Sequence, residues 1–497
     1  MKKKMNVVLI YCLCFSLTIG YGCSKVEDTI KPANTNPKVV NSLSGSSAFY
    51  IDAIRGNDIT GNGRQAKPFK SFNRAMDSLK SGDVLFVNNG NYGDIVVGRT
   101  PGNNWGSTPS EITVPFSKFT NWVTVKAAPG QTPHINTLSI GTLNIPNSGS
   151  PSKRIDFIQK GNSNLYMSFD GITIDDGVTI SGSRYINITN CTINRIGALN
   201  GSVSNIDNKV GILIQNGRYI TIANNEITHV SIGIEAGSYD LVIKNNNIHN
   251  NSHDGIRAIG GDSWLIEGNK IHDLDDGVDD NSGYNWNRHS DGIQVFTIYD
   301  VTNNLTIRGN LFYHLEAMGI MINASTVSTT YYQKWIIENN IFGPVGGTTV
   351  HFGADIRNGL VFRHNTIVYA PKDVWQSIYR PMNGKIYHLA MWSADYTNNG
   401  SRFYNNILTT DSKVPDDYDF HDGNIYYDPS GSKACPYEPI PGNIANYIAS
   451  GKTPGTLISN SAAIDAGSTK YASELKIDFL GNSRDSKPDV GAFEKQK

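Results

Sequence analysis

The chain is poor in cysteine, in charge and in helix-forming residues. Of its 497 residues 5 are Cys, and Cys12, Cys14 and Cys23 all fall at the very start. Only Cys191 and Cys435 remain in the body of the chain, too few for a disulfide framework and at no zinc-binding spacing. Stability must come from a packed core, which a 39% hydrophobic chain of this length can supply. Charged residues make up 18%, with 43 Lys+Arg against 44 Asp+Glu. That balance excludes a general electrostatic attraction to nucleic acid or to an acidic membrane face. Abundant Asn, Gly, Ser and Thr beside so little charge excludes a helical bundle, which is built from Glu, Lys, Leu and Ala. The apolar stretch from Val7 to Ile19 is too short for a comfortable membrane span.

That stretch reads as an address. Lys2, Lys3 and Lys4 precede it, and Gly20-Tyr21-Gly22-Cys23 follow, the layout of a secretory signal over residues 1–22. The Gly-Cys ending resembles a bacterial lipoprotein box, which implies that Cys23 is lipidated and becomes the mature N-terminus; an ordinary secretory signal is the alternative. Residues 23–47, rich in Ser, Asn, Lys, Thr and Pro, cannot bury enough surface to fold and read as a flexible tether. The expectation is an exported monomer, lipid-anchored to the bacterial outer membrane or cell surface, or otherwise secreted. The membrane is met only through the N-terminal lipid.

A repeat of about 22 residues governs the middle of the chain. Segments of one design recur: YITIANNEI from Tyr219, LVIKNNNI from Leu241, WLIEGNKI from Trp264, LTIRGNLF from Leu305, WIIENNIF from Trp335 and LVFRHNTI from Leu360. Each alternates β-branched or aromatic residues with polar ones and sets an Asn two residues before the next apolar residue. These are Asn225, Asn246, Asn269, Asn310, Asn340, Asn365 and Asn406. A second short strand opens with Gly-Ile at Gly211, Gly233, Gly255, Gly292 and Gly319, the first three 22 residues apart. A fixed period of this size means stacked units that bury a shared core only when piled together. Period-2 alternation makes the units strands, and the repeated Asn fits a side-chain ladder at an inward turn. Cys191 in YINITNCTI takes a ladder position, which suggests a small buried residue and not a reactive thiol.

The pattern resembles the right-handed parallel β-helix. The fold class is therefore all-β, a single-domain parallel β-helix over residues 48–409 with an irregular C-terminal capping segment over 410–497. Phe69, Phe72, Met76 and Leu79 lie at helical spacing within residues 68–79, and predict a helix capping the first coil. The opening FYIDAIRGNDITGNGRQAKPFKSF resembles the start of secreted β-helix polysaccharide enzymes, and the closing KPDVGAFE resembles their terminal strand.

Two interruptions mark where function is expected. The ladder spacing jumps to 41 between Asn269 and Asn310, and again between Asn365 and Asn406, so each gap holds a nearly coil-sized excess. The first contains HDLDDGVDDNSGYNWNRHSDGIQVF, the densest polar and aromatic stretch of the chain. The second holds Trp375, Tyr379, Arg380, Tyr387 and Trp392, suited to lining a sugar groove. With Ile inward in each Gly-Ile strand, the next residue points outward. That column reads Leu213, Glu235, Arg257, Gln294 and Met321, with His351 as its continuation, on coils about 4.8 Å apart. His253 with Asp254, and His289 with Asp291, stand just before the strands; Trp286 and Arg288 precede His289. Asp275, Asp276, Asp279 and Asp280 crowd six residues and would repel one another unless protonated or paired with a cation. Oxygen-only ligands favour a hard ion such as Ca²⁺; an acidic turn capping its own backbone is the plain alternative. The register is open at this point, because Gly277 lies 22 after Gly255 and DGVDD fits as the next strand.

DDGVDD, with HDG one coil earlier, resembles the calcium site of family 9 pectate lyases. That resemblance implies Asp254, Asp275, Asp276 and Asp279 as metal ligands. The family's Lys base, two coils on, has no counterpart, and Met321 or Gln294 stands near its place. HSDGIQ and the spacing of Asp254 to Asp275 and Asp276 are similar to polygalacturonases, whose Gly-His-Gly and Arg-Ile-Lys motifs are absent. Two chemistries follow. β-Elimination at a uronic acid needs a cation to neutralise the carboxylate and a base to take the neighbouring proton. Ca²⁺ with Arg257 or Arg288 would supply the first, and His289 or His253 the second. Hydrolysis needs two carboxyl groups across the bond, and Glu235 with Asp254 or Asp291 would serve. His253, Gln294, Arg288, Trp286 and His351 would then bind substrate. The reading is an exported enzyme cleaving an acidic or sulfated polysaccharide, a lyase before a glycoside hydrolase. A noncatalytic glycan-binding surface protein is the third possibility.

Overall fold

The computed structural model describes residues 46–98, 118–141, 164–194, 209–275, 290–296, 301–323, 332–354, 356–370, 373, 389–391, 400–410, 412, 420–428 and 435–496. The strands pair in parallel throughout, each with the strand one coil before and one coil after. They form a 20-stranded and an 11-stranded sheet, both running along the stack. The architecture is a right-handed parallel β-helix, the hand expected of parallel crossovers between twisted strands.

Each coil carries three runs. The Gly-Ile run comes first and the alternating run second; in the strands Val210–Ala223, Ile232–Lys244 and Ile256–Glu267 the two are continuous, with register shifts at Gln215/Gly217 and Ala236/Gly237 where the chain turns the corner. The third run is short, as in Glu226–Thr228, Asn247–His249 and Lys270–Leu274, and builds the smaller sheet. Alternation puts one apolar residue per rung into the interior. Ile212, Ile234, Ile256, Ile293, Ile320 and Val350 stack in one such file, all fully buried. Phe312 and Phe342 stack in another at 4.9 Å between ring centroids.

Between the second and third runs lies the Asn ladder. The backbone N–H and Nδ2 of Asn225 both donate to Asn246 Oδ1 at 2.9 Å. The same pair of bonds joins Asn246 to Asn269, Asn269 to Asn310, Asn310 to Asn340, Asn340 to Asn365 and Asn365 to Asn406. Cys191 begins the file, its N–H donating to Asn225 Oδ1 at 2.9 Å; burial pushes its thiol up to about 12, the state of an inert packing residue. The residue before each rung is left-handed, as at Asn224, Asn245, Gly268, Gly309, Asn339, His364 and Asn405, mostly the residue types that tolerate that conformation.

The ends differ in detail from the sequence expectation. The capping helix spans Phe72–Ser78, with Ser71 as N-cap and Phe72, Ala75 and Met76 buried. Phe69 lies outside it, bridged to Ile51. The repeat runs past residue 409: Phe420–Asp422 and Ile425–Tyr427 add another coil, and Asn406 donates to Asn424 Oδ1 at 2.9 Å. This coil is short, only 18 residues from Asn406 to Asn424, so its rung falls outside the period of about 22. The closing KPDVGAFE is not a strand. It bends at Gly491 (φ +90), where a Cβ would meet Ile407 Cδ1 and Thr366 Oγ1 at 2.6 Å, and it packs across the side of the last coils. A six-residue helix, Ile444–Ala449, completes the cap.

Candidate functional site

The outward column forms as one file. Leu213 is in register with Glu235, Glu235 with Arg257, Arg257 with Gln294, Gln294 with Met321, and Met321 with His351. Ile256 pairs with Ile293, so Ile293–Val295 is the strand that follows Ile256 and Arg257. The alternative register, with DGVDD as the next strand, is thereby corrected. The excess precedes Gly292, because the Gly-Ile signal that fixes the rung recurs there.

Arg257 is the hub. Its Nε and Nη2 donate to Asp254 Oδ2 at 2.8 and 2.7 Å, and its Nη1 reaches Glu235 Oε2 at 3.4 Å. His253 stands 3.2 Å from Nη2 and, through Nδ1, 3.0 Å from Asp254 Oδ1. The guanidinium lies 5.6 Å from the centroid of the Phe296 ring, one coil on, a partner that the sequence reading passed over. Side-chain exposure is 15% for Arg257, 19% for Glu235 and 23% for His253, so all three reach the surface.

Asp254 is different: its side chain is at 0% exposure. Oδ1 accepts the backbone N–H of Asp291 at 3.1 Å. Asp291, the residue in the same position of the next coil, repeats the device. Its Oδ1 accepts Met318 N–H at 3.0 Å and its Oδ2 accepts Gln294 Nε2 at 3.3 Å. In each Asp-Gly-Ile-Arg/Gln segment the carboxylate therefore ties down the following coil with one oxygen and its own outward side chain with the other. Ser290 donates to Glu316 beside them at 2.9 Å. These buried acids hold the column in place, with the hydrogen bonds that a buried carboxylate requires.

His351 is the far end of the file, half-buried, with burial pushing its ring below the usual histidine range. Asp275 is exposed, its N–H on Asn251 O at 3.1 Å. Among the described residues no group of three or more His, Cys, Asp or Glu side chains is placed to hold a metal ion. Asp254 has a guanidinium as its counter-charge, which leaves it poorly suited to a divalent cation. Trp286, Arg288, His289, Asp276, Asp279 and Cys23 lie outside the described residues, as do Trp375, Tyr379, Arg380, Tyr387 and Trp392.

A family model described as a right handed beta helix region matches residues 176–373. No curated protein matches the chain. Solved structures of similar fold include pectate lyase Pel9A, at 15% identity and a TM-score of 0.44 over 91% of this chain and 98% of that one. The A-module of the mannuronan C-5 epimerase AlgE6 of Azotobacter vinelandii is 11% identical, with a TM-score of 0.39 over 71% and 93%. PfbA, a surface adhesin of Streptococcus pneumoniae, is 14% identical, with a TM-score of 0.36 over 59% and 74%.

Proposed function

We propose that the chain is an exported enzyme that cleaves an acidic polysaccharide by β-elimination in the groove marked by Glu235, Arg257 and Gln294. One observation carries the reading: a surface-reaching arginine, pinned along one edge by buried Asp254, with a histidine 3.2 Å away that is oriented by the same carboxylate. Arg257 Nη1 would neutralise the uronate carboxylate and so acidify the neighbouring C–H. A proton on His253 Nδ1 toward Asp254 would leave the lone pair on Nε2, now 3.3 Å from Arg257 Nη2. With the guanidinium turned to the substrate carboxylate, Nε2 would take the C–H proton as the C=C bond forms, the C–O bond to the leaving sugar breaks and water protonates the departing oxygen. Glu235 limits the swing of Arg257 and His351 offers a polar contact further along the file, whereas Gln294, expected to bind substrate, is buried with its amide on Asp291 and serves as packing between them. Asp275 with Asp276 and Asp279 would form the calcium set, and Ca²⁺ held there would supply positive charge to help neutralise a uronate carboxylate.

Hydrolysis by Glu235 with Asp254 or Asp291 is the second reading. The burial of both aspartates, with their oxygens engaged, favours elimination over it, since a hydrolytic acid or base must reach the glycosidic oxygen or a water. The test offers polygalacturonate, alginate and a sulfated algal polymer, each with and without chelator. Ultraviolet-absorbing unsaturated ends support the lyase. New reducing ends without that absorbance overturn it in favour of hydrolysis. Binding with neither product makes the chain a glycan-binding surface protein. Activity lost to chelator and restored by Ca²⁺ supports the metal, with Asp276→Ala partly rescued by excess ion.

A further inference from the structure

A second polar strip lies one corner further round the coils. Trp122, Tyr166, Tyr185 and Tyr219 follow one another in register on successive coils, and Asp240, Ser263, Asn304 and Lys334 continue the file. The corner requires left-handed backbone, with φ of 51° at Tyr166, 60° at Tyr185 and 55° at Tyr219. Asp240 and Asn304 are the residue types such a corner normally carries, whereas a bulky tyrosine there is a strained choice. The three rings stack at 4.3 and 4.9 Å, which stabilises them but leaves open why tyrosine stands at three consecutive coils.

The residues just before them supply a reason. Arg184 and Arg218 are in register on adjacent coils. Arg218 donates to Asp240 at 2.7 Å and lies 4.8 Å over the Tyr219 ring. Among the described residues Arg184 has no such partner: its Nε and Nη2, the two nitrogens that together grip a carboxylate, are buried without an acceptor. Asn164, in register with Arg184 on the preceding coil, has its Oδ1 equally without a donor. A cation fork with no acceptor and an amide oxygen with no donor, on neighbouring coils, suit a ligand group that accepts and donates at once. A uronic acid does both, through its carboxylate and an adjacent hydroxyl. The catalytic file is not involved, for on these coils its positions are Thr179 and Leu213, and Arg218 lies beyond the register shift at Gln215/Gly217.

We infer that Arg184, with Asn164, Arg218 and the stacked tyrosines, forms a separate binding site for a carboxylate-bearing sugar unit, holding the polymer beside the groove; this rests on the reading of the substrate as an acidic polysaccharide. The two nitrogens are buried while the residue as a whole is half-buried, so the fork would meet its ligand by rotation about its flexible stem. The test is migration in native gels containing polygalacturonate, a sulfated galactan without carboxylates, or neutral dextran. Wild type, Arg184→Gln and Arg257→Lys are run together, with thermal melting of each. Polygalacturonate should retard wild type strongly and Arg257→Lys in part, through the Arg184 site that the second variant keeps, and dextran neither. Arg184→Gln should bind about tenfold more weakly, the worth of one charge-assisted pair, while melting no lower than wild type because it removes a cation without an acceptor. Equal retardation of Arg184→Gln and wild type overturns the site and leaves the groove reading standing. Loss of retardation in Arg257→Lys alone overturns it by assigning binding to the groove, and retardation by the sulfated galactan alone overturns the carboxylate assignment. If no polymer retards wild type the site fails, while the product assay above still decides cleavage separately.

Discussion

Two files run along the same stack, and they could hardly differ more. The inner one repeats asparagine from Asn225 to Asn424, each amide bonded to the next. The outer one changes residue at every coil, from Leu213 through Glu235, Arg257, Gln294 and Met321 to His351. A ladder that closes its own hydrogen bonds gains from sameness, because each rung presents what its neighbour needs. A file that varies cannot be satisfied by translation along the axis. Its polar groups must be tied down by other means, here by Asp254 and Asp291 beneath it. In a repeat fold, constancy marks what holds the stack, and variation on an outward face marks positions that the stack itself does not dictate.

Breaking the outer file should have the largest effect. Arg257→Met removes the counter-charge of buried Asp254, at a cost of about 3–5 kcal/mol, and lowers kcat/KM by about 10²–10³. Adding Asp254→Asn should restore most of the stability, read by denaturant melts, and none of the activity. Recovery of activity in the double variant would reduce Arg257 to a structural residue. Breaking the inner file comes next. Asn269→Ala strips the acceptor from the N–H and Nδ2 of Asn246 and should destabilise by about 3 kcal/mol, with specific activity per folded molecule unchanged.

A third prediction lies in pH. His314 is buried between Asp273 and Asp373, with Nδ1 at 2.9 Å from one and Nε2 at 3.0 Å from the other. Burial by itself would lower its pKa, but the two carboxylates prevail and raise it to about 9 from 6.5. A raised folded value means stability that is full below 6.5 and lost as pH rises through about 9. Asp373 also accepts the N–H of Ile444 at the start of the cap helix, so melting temperature should fall over that window. His314→Gln should melt lower at pH 6 and show a flatter profile; an unchanged profile would place the titration elsewhere. The smallest effect belongs to Met321→Leu, a swap of similar volume where the polar column ends, expected within about 1 kcal/mol in stability and near wild type in kcat.

The same contrast explains what could be read from the residues alone. The ladder and the Gly-Ile strands were legible because each rung restates its signal at a near-constant spacing, and the outer column followed from alternation. Asn424 was missed because its coil is short. KPDVGAFE resembles a strand by composition, but Gly491 bends it over Ile407. Asp254 and Asp291 looked like groove carboxylates, because nothing in Asp-Gly says that the side chain turns beneath the next coil. The bridge from His314 to Asp373 spans 59 residues, and no local pattern announces it. Nor did composition flag Arg184 and the three tyrosines, whose interest lies in backbone conformation and missing partners.

The most direct measurement is a crystal structure of His253→Ala, which lacks the proposed base, with a uronic-acid oligosaccharide bound. The account predicts a sugar carboxylate on Arg257 Nη1, with the chain crossing the coils of Glu235 and Gln294. An oligosaccharide seated on another wall, with Arg257 still turned wholly to Asp254 and Glu235, would contradict it.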